Sequence, residues 1–315
     1  MAEKKEKEII GYFTNASAQQ KQTELRDAKA YNNRGLAYSH KGQYDQAISD
    51  FNKALEINPR YAEAYYNRGN VYDEKSQLDQ AISDFNKALE ITPRYAEAYT
   101  NRGFVYLKKG QLDQAISDFT KALEINPRYV EAYNDRGIVY AKKGQNDQAI
   151  SDFNKVLEIN PRYVEAYNNR GLAYSHKGQL DQAISDFNKV LEINPRYAEA
   201  YNNRGLAYDE RGQLDQAISD FNKALEINPR YAEAYTNRGI TYAKKDQYDR
   251  AFSDFNKALE INPRYAVAYY NRGIAYYFKR EYEKSWKDVG KAQSLAYPIN
   301  PKFLDELRKA SGRKN

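Results

Sequence analysis

His40 and His176 are the only histidines in the chain, and there is no cysteine. Disulfides, thiolate metal sites and cysteine nucleophiles are excluded, and imidazole chemistry is confined to two places. Those places are equivalent positions of a 34-residue pattern, four repeats apart. With packed helices about 8–10 Å apart, the intervening helices should hold the two rings tens of ångströms from each other, sharing neither a metal nor a proton. Acidic side chains recur in every repeat and alternate with Lys and Arg, as on a solvated or paired face, and none is singled out as a general acid or base. Five copies carry two glycines seven residues apart, with no G-x-x-x-x-G-K-[ST] and no preceding strand to form a phosphate loop. The pattern points away from catalysis, cofactors and metals.

One polar group is repeated in register. Asn33, Asn67, Asn101, Asn169, Asn203, Asn237 and Asn271 stand in one frame, interrupted by Asp135. A carboxamide can donate to a backbone C=O and accept from a backbone N–H, so a row of them suits the main chain of an extended peptide whatever its side chains. Asp135 loses the donor.

The elements that position this row are read from Ala198 to Tyr231, AEAYNNRGLAYDERGQLDQAISDFNKALEINPRY. Copies of it begin at Ala28, Ala62, Ala96, Val130, Val164, Ala198, Ala232 and Ala266 and end near residue 299. Self-similarity at this period marks a solenoid of stacked units. Tyr201, Arg204, Gly205 and Tyr208 share one face of a first helix, and Gly205 admits a close neighbour. Gly212 suits the positive φ of a helix stop, with Asp215 near the start of a second helix. That helix turns Ala217, Phe221, Ala224 and Leu225 to the core. Asn228-Pro229 ends it, and Asn as N-cap with Pro at the first helical position should start the next.

Tyr201, Gly205, Tyr208, Ala217, Phe221, Ala224 and Pro229 occupy the signature positions of the tetratricopeptide repeat (TPR). From residue 28 to 299 the chain resembles that family, prokaryotic multi-repeat members included. The resemblance implies an all-α fold: a right-handed α-solenoid superhelix of eight helix-turn-helix repeats with a C-terminal capping helix. One departure recurs. Arg stands where the family usually has Leu before the Gly, from Arg34 to Arg272, and an Asp precedes the core aromatic position from Asp50 to Asp288. The reading is structural: the Arg lays its methylenes on the core and pairs with that Asp.

In the family the first helices line a concave groove, with the residues two and three places before the Gly facing it. Here those places read Asn32-Asn33, Tyr66-Asn67, Thr100-Asn101, Asn134-Asp135, Asn168-Asn169, Asn202-Asn203, Thr236-Asn237 and Tyr270-Asn271. The row is similar to that in the superhelix of O-GlcNAc transferases, where such side chains hold an extended peptide's main chain. Peptide-binding residues implied are Asn33, Asn67, Asn101, Asn169, Asn203, Asn237 and Asn271, joined by Asn168, Asn202, Tyr66 and Tyr270. The alternative is that repetition copied a solvated Asn. The family's carboxylate clamp is not matched: after the Gly only Asn70 is polar, the others being Leu36, Phe104, Ile138, Leu172, Leu206, Ile240 and Ile274.

The net charge is +6, and residues 1–265 are neutral, so the whole excess belongs to 266–315. A nucleic-acid groove would be lined with cations along its path, which speaks against that partner. No apolar run reaches membrane-span length, and MAEKKEKEII is not a secretory signal; a cytoplasmic protein is expected. Residues 1–27 read as a tail and helical extension, in which TNAS could cap a helix and Ile9, Ile10, Tyr12 and Phe13 could serve self-association. Tyr31 to Gln43 recurs letter for letter at Tyr167 to Gln179, as if a four-repeat block had been duplicated. Repeat eight drifts, with Ser285, Val289 and the single Trp286. Residues 300–311 should form a capping helix through Phe303, Leu304 and Leu307, and 312–315 a disordered tail. The expected function is a non-enzymatic protein-interaction scaffold that binds an extended segment in its concave groove. The alternatives are a regulatory or targeting subunit of a separate enzyme or of a secretion or assembly machine, and a self-assembling structural solenoid.

Overall fold

The computed structural model describes residues 20, 22, 23 and 25–313; the TNAS cap and the apolar group from Ile9 to Phe13 lie outside them. The chain divides into two units, residues 1–159 and 160–315. The division falls between the fourth and fifth repeats, where the duplicated block begins. Among the described residues every regular element is a helix.

In the first unit the helices are α1 (25–40), α2 (Tyr44–Ile57), α3 (Ala62–Glu74) and α4 (Leu78–Ile91), then α5 (Ala96–Lys108), α6 (Leu112–Ile125), α7 (Val130–Lys142) and α8 (Asn146–Ile159). The second unit has α9 (Val164–His176), α10 (Leu180–Ile193), α11 (Ala198–Glu210) and α12 (Leu214–Ile227). It continues with α13 (Ala232–Lys244), α14 (Tyr248–Ile261), α15 (Ala266–Phe278), α16 (Tyr282–Ser294) and α17 (Pro301–Ser311). Odd-numbered helices to α15 are the first of each repeat and even-numbered ones the second. Within each unit every helix packs on the next, and first helices also meet the first helices of adjacent repeats.

The core of each of the first seven repeats is a Phe against a Gly, and in the eighth Val289 faces Gly273. Phe221 is fully buried, and a Cβ on Gly205 would lie 2.7 Å from its Cε1. The glycine therefore makes room for the ring, whose burial stabilises by about 1.5–3 kcal/mol. Ala217, Ala224 and Leu225 are buried beside it, as their spacing predicts. The turn glycine is also as expected: Gly212 has φ +76. Three repeats put Ser76, Asp246 or Arg280 in the same left-handed conformation.

The Asn-Pro dipeptide behaves differently from expectation. Asn228 ends α12, but its Oδ1 accepts the Arg230 N–H at 3.1 Å, closing a turn through Pro229 and Arg230. The next helix starts at Ala232 with Tyr231 as N-cap. The Asn side chain satisfies a turn donor instead of capping a helix.

The last helix forms as predicted. Asn300 caps α17 by accepting the Lys302 N–H, Pro301 takes the first position, and Gly312 ends it in the left-handed region. Leu307 is fully buried. Gly312 and Arg313, expected in a disordered tail, are engaged: Arg313 pairs with Glu283 at 2.6 Å and lies over the Trp286 ring. Trp286 donates its indole N–H to Ser311 Oγ at 3.0 Å.

Candidate functional site

The asparagine row lies on the first helices, where it makes bonds from one repeat to the next. Asn67 donates Nδ2–H to Oδ1 of Asn32 at 3.0 Å in the first unit. In the second, Asn203 donates to Asn168 at 3.2 Å and Asn237 to Asn202 at 2.9 Å. Asn101 donates both to the Tyr66 hydroxyl at 3.0 Å and to Asn70 Oδ1 at 2.7 Å. Asn271 turns back to the Val267 carbonyl of its own helix.

Burial sorts the sequence-derived residues. Asn33 is exposed, while Asn101, Asn169, Asn203, Asn237 and Asn271 are half-buried. Asn67 and Asn168 are buried and Asn202 is 0% exposed, which corrects the expectation that both places before the Gly face outward. Asn32, Asn168 and Asn202, three before the Gly, each accept from the next first helix, while Thr100 and Thr236 at that place are buried and donate to Ala96 and Ala232 of their own helices. Tyr66 packs on Phe85 and Tyr95, and Tyr270 lies against Tyr297 and Phe303 beneath the capping helix. The spacing of thirty-five residues from donor to acceptor, one more than the repeat, was the signal in the sequence for these bonds.

Asp135 interrupts the row. Its carboxylate accepts the Asn134 Nδ2–H at 3.2 Å. Burial pushes its pKa up to about 6, against the stabilising Asn134 bond and with a smaller push from Glu131.

The recurring arginines form a second set of joints. Arg238 makes a two-point fork to Asp254, with Nε and Nη2 each 2.7 Å from a carboxylate oxygen. Its Nη1 donates to Asn222 of the preceding second helix at 2.5 Å, and its guanidinium lies over Tyr235 and Tyr242. The same fork joins Arg34 to Asp50, Arg68 to Asp84 and Arg102 to Asp118. The pairing expected from the sequence is thus present; the stacking tyrosines and the Asn acceptor were not anticipated. Arg238 thus holds α12, α13 and α14 together, with its side chain only 18% exposed, whereas Arg34 joins α1 to α2 alone and is 55% exposed.

Among the described residues no group of three or more His, Asp or Glu is placed to hold a metal ion. No described helix is long and apolar enough to cross a membrane.

The tetratricopeptide repeat profile matches residues 28–61, 96–129, 164–197, 198–231 and 232–265. Related repeat profiles match 69–110 and 139–178, and 51–83, 119–151 and 255–287. The chain belongs to the tetratricopeptide repeat family. A TPR protein from Parabacteroides merdae is similar in structure, 26% identical over 80% of this chain and 99% of its own, with a TM-score of 0.67. YrrB, described as a TPR protein with an unusual peptide-binding site, is 31% identical over 62% of this chain and 97% of its own, with a TM-score of 0.53. A comparison with curated proteins gives no match.

Against this TPR frame the exposed apolar residues are informative. The large ones among the described residues are Leu25, Phe104, Leu206 and Phe278, and all four are on first helices. Phe104 and Leu206 directly follow the packing glycines Gly103 and Gly205, 40% and 39% exposed. Phe278 helps to line a cavity of about 370 Å³ with Ile240, Ala243, Phe255, Ile274 and Ala275.

Proposed function

We propose that the chain is a non-enzymatic scaffold whose first helices hold an extended segment of another protein. The observation that carries this reading is the placement of the exposed large apolar side chains, all on first helices and none on second helices among the described residues. In each unit the first-helix surface that leaves Phe104 or Leu206 in water is one a partner would cover. The half-buried Asn101, Asn203 and Asn237 border it with Oδ1 atoms that can accept a peptide N–H. Asn33, Asn169 and Asn271 extend the same row. YrrB, a TPR protein with an unusual peptide-binding site, supports the reading by similarity.

The test is selection of peptides from a random displayed library on the full chain, followed by binding to two variants. Phe104→Lys with Leu206→Lys places charge on the first helices; Gln114→Lys with Gln216→Lys places it on the second. Selected peptides should bind the first variant about tenfold or more weakly and the second normally. Equal binding to both would remove the first helices from the site.

A further inference from the structure

We propose that the cavity between α13 and α15 takes one large apolar side chain of a protein segment whose neighbouring residues are acidic. The proposal rests on the first-helix reading above and specifies what its last two repeats recognise.

One residue lining the cavity has no apolar counterpart in the other repeats. Phe278 stands where other copies have His40, Glu74, Lys108, Lys142, His176, Glu210 and Lys244. Seven polar or charged residues thus give way to an aromatic ring in the eighth, and that ring is 61% exposed. Ile240 and Ile274 line the cavity with the buried Phe255 and Ala275. At about 370 Å³ the space is at the small end of ligand pockets, which run to about 1,000 Å³, and suits a single bulky side chain.

Charge decides what should flank that side chain. Residues 1–265 are neutral, and the whole +6 lies in 266–315. Lys279 and Arg280 directly follow Phe278. Elsewhere the basic residue of this turn is paired with an Asp of the preceding repeat, as Lys75 is with Asp45 at 2.5 Å and Arg211 with Asp181 at 2.7 Å. Lys109, Lys143 and Lys245 are paired likewise with Asp79, Asp113 and Asp215. Neither Lys279 nor Arg280 has an ion pair among the described residues. The rim also carries Lys244, paired with Asp209, and the Asp246 carboxylate, which accepts the Tyr248 hydroxyl at 2.9 Å, while Asp249 and Arg250 line the adjoining hollow with Lys279. With Lys279, Arg280 and Arg250 against Asp246 and Asp249, a cationic excess borders the apolar cavity and matches an apolar anchor next to carboxylates. A nucleic acid would use the cations and leave the aliphatic walls bare.

The experiment applies the displayed peptide library to the full chain and compares binding to Phe278→Lys. That variant restores the residue found at Lys108, Lys142 and Lys244, at an exposed position, so folding is retained; circular dichroism checks it. Enriched peptides should share a Trp, Phe, Leu or Ile with Asp or Glu close by. They should bind Phe278→Lys about ten- to a hundredfold more weakly, and bind the full chain more weakly as salt is raised. Peptides without an apolar anchor, with basic flanks, or indifferent to Phe278→Lys would overturn the proposal. A dimer of the chain alone that Phe278→Lys abolishes would assign the cavity to a second copy and overturn it too. Peptides sensitive to Leu206→Lys but not to Phe278→Lys would sink the cavity and leave the wider reading standing. Enrichment of no peptide would sink both.

Discussion

Asn237 on α13 donates its carboxamide to Oδ1 of Asn202 on α11 at 2.9 Å, and Asn202 is wholly buried. The bond ties adjacent repeats of the second unit together through their first helices. Asn237→Ala should therefore destabilise by about 1–3 kcal/mol, because a buried acceptor loses its donor. The better helix propensity of Ala returns less than about 0.7 kcal/mol. Urea denaturation measures the balance, and unchanged stability would show that the bond contributes nothing net and leaves Asn237 free for a ligand.

Arg238 and Asp254 should behave as a single unit. Arg238→Met strands a carboxylate whose side chain is only 7% exposed, at a cost of about 3–5 kcal/mol. Adding Asp254→Leu should recover most of that loss. A double variant no better than the single one would mean that the arginine acts mainly by stacking on Tyr235 and Tyr242.

Asp135 gives the first unit a pH dependence. Its folded pKa of about 6 exceeds the ordinary aspartate value, so between the two the folded chain holds a proton that the unfolded chain releases. This contribution is greatest in acid below the ordinary value and is lost as pH rises through about 6. Asp135→Asn should stabilise at neutral pH, by on the order of 1–3 kcal/mol, and flatten this part of the profile. Denaturation midpoints across the pH range check it; parallel profiles for the two chains would refute the assignment.

Leu307 is the fully buried residue of α17. Leu307→Ala should cost about 2–5 kcal/mol at that site, and in a stacked architecture the loss should be felt first in the last layer. Hydrogen exchange should accelerate in α16 and α17 and change little in α11 and α12. Uniform acceleration would mean that the second unit unfolds as a whole.

The repeat, its two helices and its core were legible because period and side-chain spacing alone determine them. Phe221, Ala224 and Leu225 had only one face to occupy. The Arg–Asp fork was legible for a related reason: two opposite charges copied in every repeat had to lie near each other. The inward turn of Asn168 and Asn202 was not, because a carboxamide is equally at home in water or bonded to its twin, and composition does not separate the two. The role of Asn228 was misread because Asn before Pro fits both a helix start and a side-chain-closed turn. Which one forms depends on where the next helix can dock. Phe278 passed unnoticed because a single aromatic residue at a position otherwise polar or charged does not disturb the repeat's signature.

The arginine fork and its Asn acceptor also bear on how such a chain can change over generations. Arg238 needs Asn222 behind it and Asp254 ahead, and Arg272 needs Asn256 and Asp288 in the same way. Near-identical gene segments recombine with one another, adding or dropping whole copies in frame. Because the partners of each arginine recur at the same offset, such an event leaves every guanidinium with its carboxylate. The chemistry of the joint thus tolerates the replication errors that its own repetition invites.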